Sequence, residues 1–368
     1  MTSTSTSTAS ATLASATRIN LSNYKNFVQK VTHVENLTQL VNELGKVKAP
    51  YAGLDYLMEK CNGFYAAISF KELLDSYHSM ALNTQADNPL VFKGRSKLDY
   101  KITPEQLPKI YNKLYLAEVI KGDLISSLNC GNPYKLPNTL VNLLNSSKEN
   151  NINAEQDPFK QSLIFLGELT LLDNSQDFNA NSSALRKKDL IADGKQFEFR
   201  VFNVYSMEWP QLNLLHLTGN HLMFKTTGVD YKTDSAQLLQ LGTATDKTLK
   251  EFLEANKWEG YVIYTTCLWS PNKRTPDVIA LKYPLIEWGK IIGHSYAYTV
   301  RGNIITRVKV KLESGKVITL GSGIDDNLRK LLEENREVEV KMKAERRSEL
   351  GEYIKPVIES YHELTSAE

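Results

Sequence analysis

The sequence predicts an α+β protein whose strands are mainly antiparallel and which ends in a small all-β barrel. Apolar segments of strand length recur through the middle of the chain, with few helical patterns between them. Beyond Trp288, short alternating strands and glycine turns fill about eighty residues. The 368 residues give room for two or three domains, each able to bury its own core.

Composition excludes several classes of protein. The chain is 42% hydrophobic and 23% charged, as is typical of soluble globular proteins. Its longest apolar runs, such as Leu163–Leu166, are too short to cross a bilayer, so we expect no membrane partner. The net charge of +2 means that a nucleic-acid partner would require a local basic surface. Three distant cysteines (Cys61, Cys130 and Cys267) predict neither disulfides nor a metal knuckle, and indicate a reducing, cytoplasmic location.

The first part of the chain is predicted to contain two segments. Residues 1–17 carry eleven Ser or Thr and no charged side chain, a composition that predicts a disordered tail. Residues 18–87 are predicted to be a helical N-terminal region, because Phe27, Val31, Val34 and Leu37 recur at helical spacing. No chemistry is evident in this region.

Residues 88–287 form the predicted α+β core. Thr103 begins a helix that runs to about Leu114, with a capping pattern completed by Gln106. The strands and the remaining helix follow in this order: strand Tyr115–Ile120, strand within Gln161–Leu172, strand Phe197–Val204, helix Thr245–Asn256, strand Trp258–Thr265 and strand Val278–Tyr283.

Residues 288–368 read as a five-stranded barrel of the OB type. Val300–Leu312 alternates, with Arg307, Lys309 and Lys311 on one face. A turn at 313–315, a returning strand at 316–320, a helix at 325–334 and a strand at 337–342 complete the pattern. Between positions 289 and 350, thirteen Lys or Arg stand against nine Asp or Glu, so this domain carries the basic excess and a possible track for phosphates.

Several motifs in this order resemble those of ATP-dependent DNA ligases. Two segments, Asp177–Ser182 and Leu185–Lys188, resemble the ligases of short-tailed bacteriophages in particular. Blocks similar to the wider family's motifs are Leu166–Leu169 (LGEL), Phe199–Val204 (FRVFNV), Trp258–Ile263 (WEGYVI), Ile279–Pro284 (IALKYP), Trp288–Gly293 (WGKIIG), Leu320–Asp325 (LGSGID) and Gly351–Pro356 (GEYIKP). They lie in order between residues 166 and 356.

The resemblance implies an ATP-grasp-like nucleotidyltransferase core, which carries out adenylation, followed by an OB-fold domain. In such enzymes a lysine attacks the α-phosphate of ATP and AMP passes to a 5′-phosphate, from which a 3′-hydroxyl displaces it. The expected cofactors are ATP and Mg²⁺, the expected partner is nicked double-stranded DNA, and the protein is expected to act as a monomer in the cytoplasm, or in the host cytoplasm if it is viral.

The resemblance also implies roles for individual residues. Glu168 and Glu259 would hold the ribose and the metal ion, and Phe202 would stack on adenine. Lys282 would contact the α-phosphate, and Arg186 would contact nucleotide or DNA phosphate. The family's nucleophile lies in a Lys-x-Asp-Gly-x-Arg pattern; Lys121, with Asp123 two positions on, is the candidate favoured here. Lys97 is the rival, and an adenylating role for neither lysine stays open.

Three departures from the family pattern weaken the expectation of turnover. Tyr264, Ala280 and Ile354 stand where the resemblance would place cations. Each lost charge-assisted contact in a dry site costs about 2–4 kcal/mol of transition-state stabilisation. Neighbouring cations at 257, 273, 274, 346 and 347 are possible substitutes. The alternative function is therefore a degenerate ligase-like protein that binds DNA or nucleotide without adenylation, and an RNA ligase is a third reading.

Overall fold

The computed structural model describes residues 27–46, 56–60, 63–81, 89–95, 99–108, 121–122, 142, 157–173, 178–187, 189–207, 210, 212–214, 245–256, 258–265, 268–298, 304–347 and 351–364. Several predictions fall outside these residues. They concern the tail at 1–17, the strand at 115–120, the far end of the helix from Thr103, and the side chains of Lys97, Asp123 and the three cysteines.

The first part of the described chain is mixed α/β. Its helices and strands are β1 (Lys30–Val34), α1 (Leu37–Leu44), β2 (Tyr56–Glu59), β3 (Phe64–Ser69), α2 (Phe70–Ala81), β4 (Leu90–Gly94), β5 (Asp99–Ile102), α3 (Pro158–Gln161), β6 (Leu163–Leu171), α4 (Phe178–Leu185), β7 (Phe197–Ser206), α5 (Asp246–Asn256), β8 (Tyr261–Tyr264) and β9 (Arg274–Leu281).

These strands form two sheets. The larger sheet is antiparallel throughout, in the order β5-β4-β3-β6-β7. The smaller sheet has the order β1-β9-β8-β2, in which β1 runs parallel to β9 and the other pairs are antiparallel. The predicted α+β class with mainly antiparallel strands is therefore confirmed.

The two sheets pack face to face through one apolar cluster. Ala67, Ile164 and Leu166 come from the larger sheet, and Tyr264 and Val278 from the smaller one. A second cluster covers the outer face of the larger sheet. A third lies between the outer face of the smaller sheet and helices α1 and α5. Alternation along each strand supplies both faces, as two-sided burial requires.

The prediction of a helical region over residues 18–87 is wrong. This stretch supplies β1 and β2 to the smaller sheet and β3 to the centre of the larger one, together with two helices. The misleading apolar spacing crosses an element boundary. Val34 ends β1 and Leu37 begins α1, and both pack in the same outer cluster, so a strand followed by a helix mimics helical periodicity.

Several of the other predictions for the core agree with the structure. Strands β6 and β7 and helix α5 lie where the sequence places them. The capping box of Thr103 and Gln106 is present, although the helix that it begins is a single 3-10 turn at Pro104–Gln106.

The C-terminal part forms a five-stranded antiparallel sheet with one helix. Its elements are β10 (Leu285–Tyr298), β11 (Ile304–Leu312), β12 (Val317–Leu320), α6 (Asp326–Glu333), β13 (Val338–Ala344), β14 (Arg346–Arg347), β15 (Tyr353–Ile354) and β16 (Val357–Glu363). The strand order is β12-β11-β10-β13-β16, and β14 pairs with β15.

The two edges of this sheet approach each other. The backbone N–H of Ile358 in β16 donates to the carbonyl of Ser322, just after β12, at 3.1 Å. Helix α6 is capped by Asp325, which accepts from the N–H of Leu328 at 2.8 Å. Leu328 and Leu332, one turn apart, then bury the same face of α6 in the core of the sheet. The sheet therefore curls around a core closed by α6.

No helix in the described part of the chain has the length and apolarity needed to span a bilayer.

Gly323 and Gly315 provide a test of this closure. Both have a left-handed backbone, with φ of +82° and +83°. A Cβ at Gly323 would lie 2.1 Å from the carbonyl oxygen of Ile358, whereas one at Gly315 would meet nothing within 4 Å. We expect Gly315→Ala to lower the free energy of unfolding by about 1–2 kcal/mol, from backbone strain alone. Gly323→Ala should cost about 1–3 kcal/mol more, from the overlap.

Urea unfolding followed by tryptophan fluorescence measures both variants. Equal losses for the two would contradict the close approach of Gly323 to β16.

Candidate functional site

Lys60 lies where the chain crosses from the smaller sheet to the larger one. It follows β2, and its backbone N–H donates to the carbonyl of Gly260 at 2.9 Å. Because β2 pairs with β8 along its length, this bond continues the sheet and fixes the position of Lys60. Its side-chain ammonium donates to Oε2 of Glu259 at 2.5 Å.

Glu259 and Lys282 meet because β8 and β9 are antiparallel. Tyr261 at the start of β8 pairs with Leu281 at the end of β9, so the residues just outside them are neighbours. The Lys282 ammonium donates to Oε1 of Glu259, whose other oxygen accepts from Lys60. Burial alone would raise the pKa of Glu259, but the two ammonium groups outweigh it and hold that pKa below its ordinary value.

Glu168 enters the site from the larger sheet. It pairs with Tyr65 across β3 and β6, and its Oε2 accepts from the backbone N–H of Gly63 at 2.9 Å. Burial raises the pKa of Glu168, partly opposed by Lys60 and by the Gly63 hydrogen bond. A side chain at position 63 has no room, since a Cβ there would lie 2.6 Å from Thr170 and 2.8 Å from Glu168. Gly63 therefore permits the close approach of the chain to β6 at the start of β3, within the larger sheet.

These charged groups line a cavity of about 760 Å³. Its other wall comes from the C-terminal sheet, through Lys343, Glu345 and Lys355 among other residues. An ion pair between Lys343 and Glu35, at 2.5 Å, joins this wall to the residue that follows β1. A second pair, Lys355 with Glu345 at 2.7 Å, lies within the wall. The cavity thus has walls from both parts of the molecule. Its lining carries five Lys or Arg and four Glu side chains, a small excess of positive charge that favours an anion.

A second cavity, of about 600 Å³, adjoins the first. Its lining combines apolar and aromatic residues with charged ones, among them Lys30, Arg200 and Arg274, and it is called the apolar cavity for the former. Phe202, from β7, stacks on Trp269 with ring centroids 6.4 Å apart, and lies 5.3 Å from Tyr65. The opposite side is the inner face of the smaller sheet, including Val262 and Ala280. A flat aromatic ring fits such a lining.

Four residues line both cavities: His33, Lys60, Arg95 and Glu168. They mark the place where the apolar cavity opens into the charged one. A ligand with an aromatic ring joined to an anionic chain would pass through this junction, and Lys60 is the potential nucleophile that lies there.

Of the residues predicted for the site, four converge. Glu168, Glu259 and Lys282 line the charged cavity, and Phe202 lines the apolar one. Their individual roles remain predictions.

Arg186 and Lys121 do not join the four. Arg186 is exposed just after α4 and lines neither cavity. Lys121 is helical rather than at the end of a strand, and its ammonium pairs with the buried carboxylate of Asp157 at 3.1 Å. Asp157 also accepts from the N–H of Phe159 at the start of α3, so this ion pair has a structural explanation.

The sequence did not predict three residues of the site: Lys60, His33 and Arg95. The segment from Lys60 to Gly63 reads Lys-Cys-Asn-Gly, with Asn in place of the Asp of the expected pattern. Its glycine is the usable signal, because Lys121 is followed by Leu124 at the corresponding position. His33 and Arg95 belong to no quoted motif and reach the site only through sheet pairing.

The three expected cations are indeed missing from the site. Tyr264 and Ala280 are buried in apolar surroundings, and Ile354 lines the charged cavity. Among the substitutes considered, Arg274 lines the apolar cavity. Lys355, the neighbour of Ile354 in the sequence, is a cation at the cavity wall, and Lys343 and Arg95 are further ones that the sequence did not single out.

The residues present fit a magnesium ion only with help from a ligand. Among the described residues, no three His, Cys, Asp or Glu side chains cluster as a metal site. Two carboxylates, Glu168 and Glu259, face the same cavity. Mg²⁺ typically takes one or two carboxylates together with substrate phosphates and water, so this pair suits a metal that arrives with a nucleotide.

Comparison with known structures gives weak similarities to DNA ligases. The chain is 11% identical to a Lig E DNA ligase, with 91% of this chain and 100% of that one covered, at a TM-score of 0.48. It is 13% identical to the ATP-dependent DNA ligase of bacteriophage T7 in complex with ATP, with 92% of this chain and 100% of that one covered, at a TM-score of 0.36. It is 13% identical to the Chlorella virus DNA ligase-adenylate, with 92% of this chain and 98% of that one covered, at a TM-score of 0.28.

No protein-family model matches the sequence, and no curated protein matches it. The structural similarities do not single out ligases of short-tailed phages. At these identities and TM-scores they carry no argument about what the chain does. Its function has to be argued from its own residues.

The position of Glu259 between two ammonium groups gives a testable expectation for stability. Glu259→Gln keeps the shape but removes the charge that Lys60 and Lys282 share. Since all three side chains are largely buried, we expect the free energy of unfolding at pH 7 to fall by about 1–3 kcal/mol.

Glu43→Gln is the matched control, because among the described residues Glu43 pairs with Lys46, whose side chain is 61% exposed. That change should stay within about 0.5 kcal/mol. Urea unfolding measures both variants, and indistinguishable stabilities would contradict the shared-carboxylate arrangement.

Proposed function

We propose that this protein is an ATP-dependent nucleotidyltransferase of the DNA-ligase type, with Lys60 as the residue that becomes adenylated. The observation that carries the proposal is the position of Lys60. It lies at the junction between a cavity with an aromatic wall and a charged one, and both cavities are lined by several cations. The first suits a nucleobase and the second a polyphosphate, so the α-phosphate of a bound nucleotide would lie beside Lys60.

The first chemical step follows from this placement. Lys60, which Glu259 holds as an ammonium, first gives up a proton to solvent. Its neutral amine attacks the α-phosphorus, an N–P bond forms as the bond to the bridging oxygen breaks, pyrophosphate leaves, and the nitrogen loses its second proton to solvent. Lys282 is close enough to the same cavity to offset charge on the α-phosphate. A bound Mg²⁺, held by Glu168 and Glu259 together with the phosphates, would further stabilise that charge.

Later steps would seal a nick in duplex DNA. AMP passes from Lys60 to the 5′-phosphate, and the neighbouring 3′-hydroxyl displaces AMP as the phosphodiester forms. Phe202 would stack on the adenine and Glu168 would bind the ribose, as the resemblance implies. Asp123 and Arg186 have no part in this proposal, because nothing in the described site involves them.

We infer that residues 288–368 are an OB-fold domain. The strand order, the helix between the third and fourth strands and the contact between the edges support this assignment. The nucleotidyltransferase domain then extends from β1 to β9 rather than beginning at residue 88, because β1, β2 and β3 belong to its two sheets. A phage origin, a monomeric state and a cytoplasmic location rest on the sequence resemblance and composition alone.

An exposed basic face on this domain supports DNA as the partner. Arg307, Lys309 and Lys311 alternate along the outer face of β11, and Lys290 pairs beside Lys311. None of the four forms an ion pair with another described residue. Lys341 and Lys343, by contrast, pair with Glu359 or Glu35. Unpaired cations at a strand's two-residue spacing suit a phosphate backbone.

The missing cations at 264, 280 and 354 favour one alternative, a protein that binds nicked DNA without adenylation. The two readings share the fold and the basic face. They differ in whether a covalent lysyl-AMP forms.

Lysine substitutions test the enzyme. Wild-type protein incubated with α-labelled ATP and Mg²⁺ should give a labelled band on a denaturing gel. Lys60→Arg should abolish the band, because arginine keeps the charge and the partner carboxylate but is not neutral at any usable pH. Lys121→Arg is the matched control and should label as the wild type does.

If the wild type is not labelled under conditions in which a known ligase is, the proposed enzymatic activity is contradicted and the DNA-binding alternative is favoured. Labelling that survives in Lys60→Arg but is lost in Lys121→Arg would return the role to Lys121.

Salt dependence tests the basic face. Replacing Arg307, Lys309 and Lys311 together by Ala should weaken binding to nicked duplex. It should also reduce the slope of log affinity against log salt by about 2–3, because each phosphate contact contributes about 0.9.

A control with Ala at Arg329 and Lys330 removes exposed cations of α6, which pair with Asp326 and Glu334. Its slope should match the wild type. If the wild type and both variants have equal salt slopes, the basic face of β11 does not bind the DNA.

A further inference from the structure

His33 is a polar exception on the face of the smaller sheet that lines the apolar cavity. Residues of β1, β9 and β8 alternate so that one side of each strand faces the cavity. The cavity side includes Val31, His33, Val278, Ala280, Val262 and Tyr264, and the first residues of β1 and β9, Lys30 and Arg274, also line the cavity. The other side packs in the outer apolar cluster. Val31 and Val34 pack in apolar clusters, whereas the exposed imidazole of His33 lies at the cavity.

Sheet pairing fixes the place of this imidazole. His33 is the direct partner of Ala280 in the parallel pairing of β1 with β9. Paired residues point to the same side of a sheet, and the methyl group of Ala280 leaves room beside the ring. His33 also lines the charged cavity, so it lies at the junction together with Lys60.

The charges around His33 favour an anion next to it. Burial lowers the pKa of His33, and Lys60, Arg274 and Lys282 lower it further, while Glu259 acts in the opposite direction. Arg95 and Glu168 line the same junction. No described residue hydrogen-bonds the imidazole. The ring of His33 is exposed at the cavity and lies among cations, so its N–H is available to a ligand there.

We propose that His33 is a positioning residue that donates a hydrogen bond to the phosphate adjoining the nucleoside. This inference rests on the proposed nucleotide site. The nucleobase lies in the apolar cavity and the remaining phosphates lie in the charged one, so the first phosphate must cross the junction. His33 holds that phosphate from the side of β1, and Lys60 reaches it from the end of β2.

The experiment compares adenosine 5′-monophosphate with adenosine, using isothermal titration of the full-length protein. AMP has no pyrophosphate to lose and cannot adenylate Lys60, so its binding is independent of turnover. His33→Phe keeps a ring but no donor, whereas His33→Gln keeps an N–H donor. Thr32→Ala, on the opposite side of β1, controls for the integrity of the strand.

His33→Phe should weaken AMP binding about ten-fold or more, as expected for one lost hydrogen bond to a charged group. Adenosine binding should change by less than about two-fold. His33→Gln should retain most of the affinity for AMP, and Thr32→Ala should bind both ligands as the wild type does. If His33→Phe fails to fold, retention in His33→Gln with preferential loss of AMP over adenosine in His33→Ala tests the same point.

Equal losses for AMP and adenosine would reduce His33 to a packing residue and overturn the proposal. So would unchanged AMP binding in His33→Phe, or a wild type that binds no AMP. The proposed enzyme fails separately. A wild type that binds AMP through His33 but forms no labelled adduct with ATP would keep the His33 assignment and lose the ligase.

Discussion

One carboxylate, that of Glu259, accepts hydrogen bonds from the ammonium groups of both Lys60 and Lys282. Two cations brought this close would repel each other without it. The carboxylate lies at the ends of β8 and β9, so the pairing of these strands determines where both lysines are held. Because Lys60 also begins the crossing to the larger sheet, the same interaction anchors the meeting of the two sheets. The cavities between them depend on that anchor.

The two sheets contribute different groups to the site. The smaller sheet supplies the charged ends of its strands and an apolar inner face. The larger sheet supplies Glu168 and the aromatic ring of Phe202. Gly63 lets the chain enter the larger sheet beside Glu168, since any side chain there would collide with β6. The C-terminal sheet closes the charged cavity with Lys343, Glu345 and Lys355. Binding a long anionic ligand therefore involves both parts of the molecule.

Prediction from sequence succeeded where one element contains its own signal. β7 alternates along its length, α5 has a complete amphipathic pattern, and the C-terminal strands alternate between glycine turns. Glu168, Phe202, Glu259 and Lys282 lie in motifs of this kind. It failed for residues 18–87, where a five-residue strand and an eight-residue helix are each too short to show their own period. That failure concealed Lys60, because a region interpreted as helical offers no strand end for a nucleophile.

The sequence alone determined the α+β class, the all-β character of the C-terminal part and four side chains of the site. These features depend on local periodicity and on short motifs, which are properties of contiguous residues. Only the tertiary structure decided which lysine joins the site. Lys60 and Glu259 are 199 positions apart, and His33 and Ala280 are 247 apart. Such neighbours are created by the pairing of β2 with β8 and of β1 with β9, and strand pairing over such separations leaves no periodic signal in either segment.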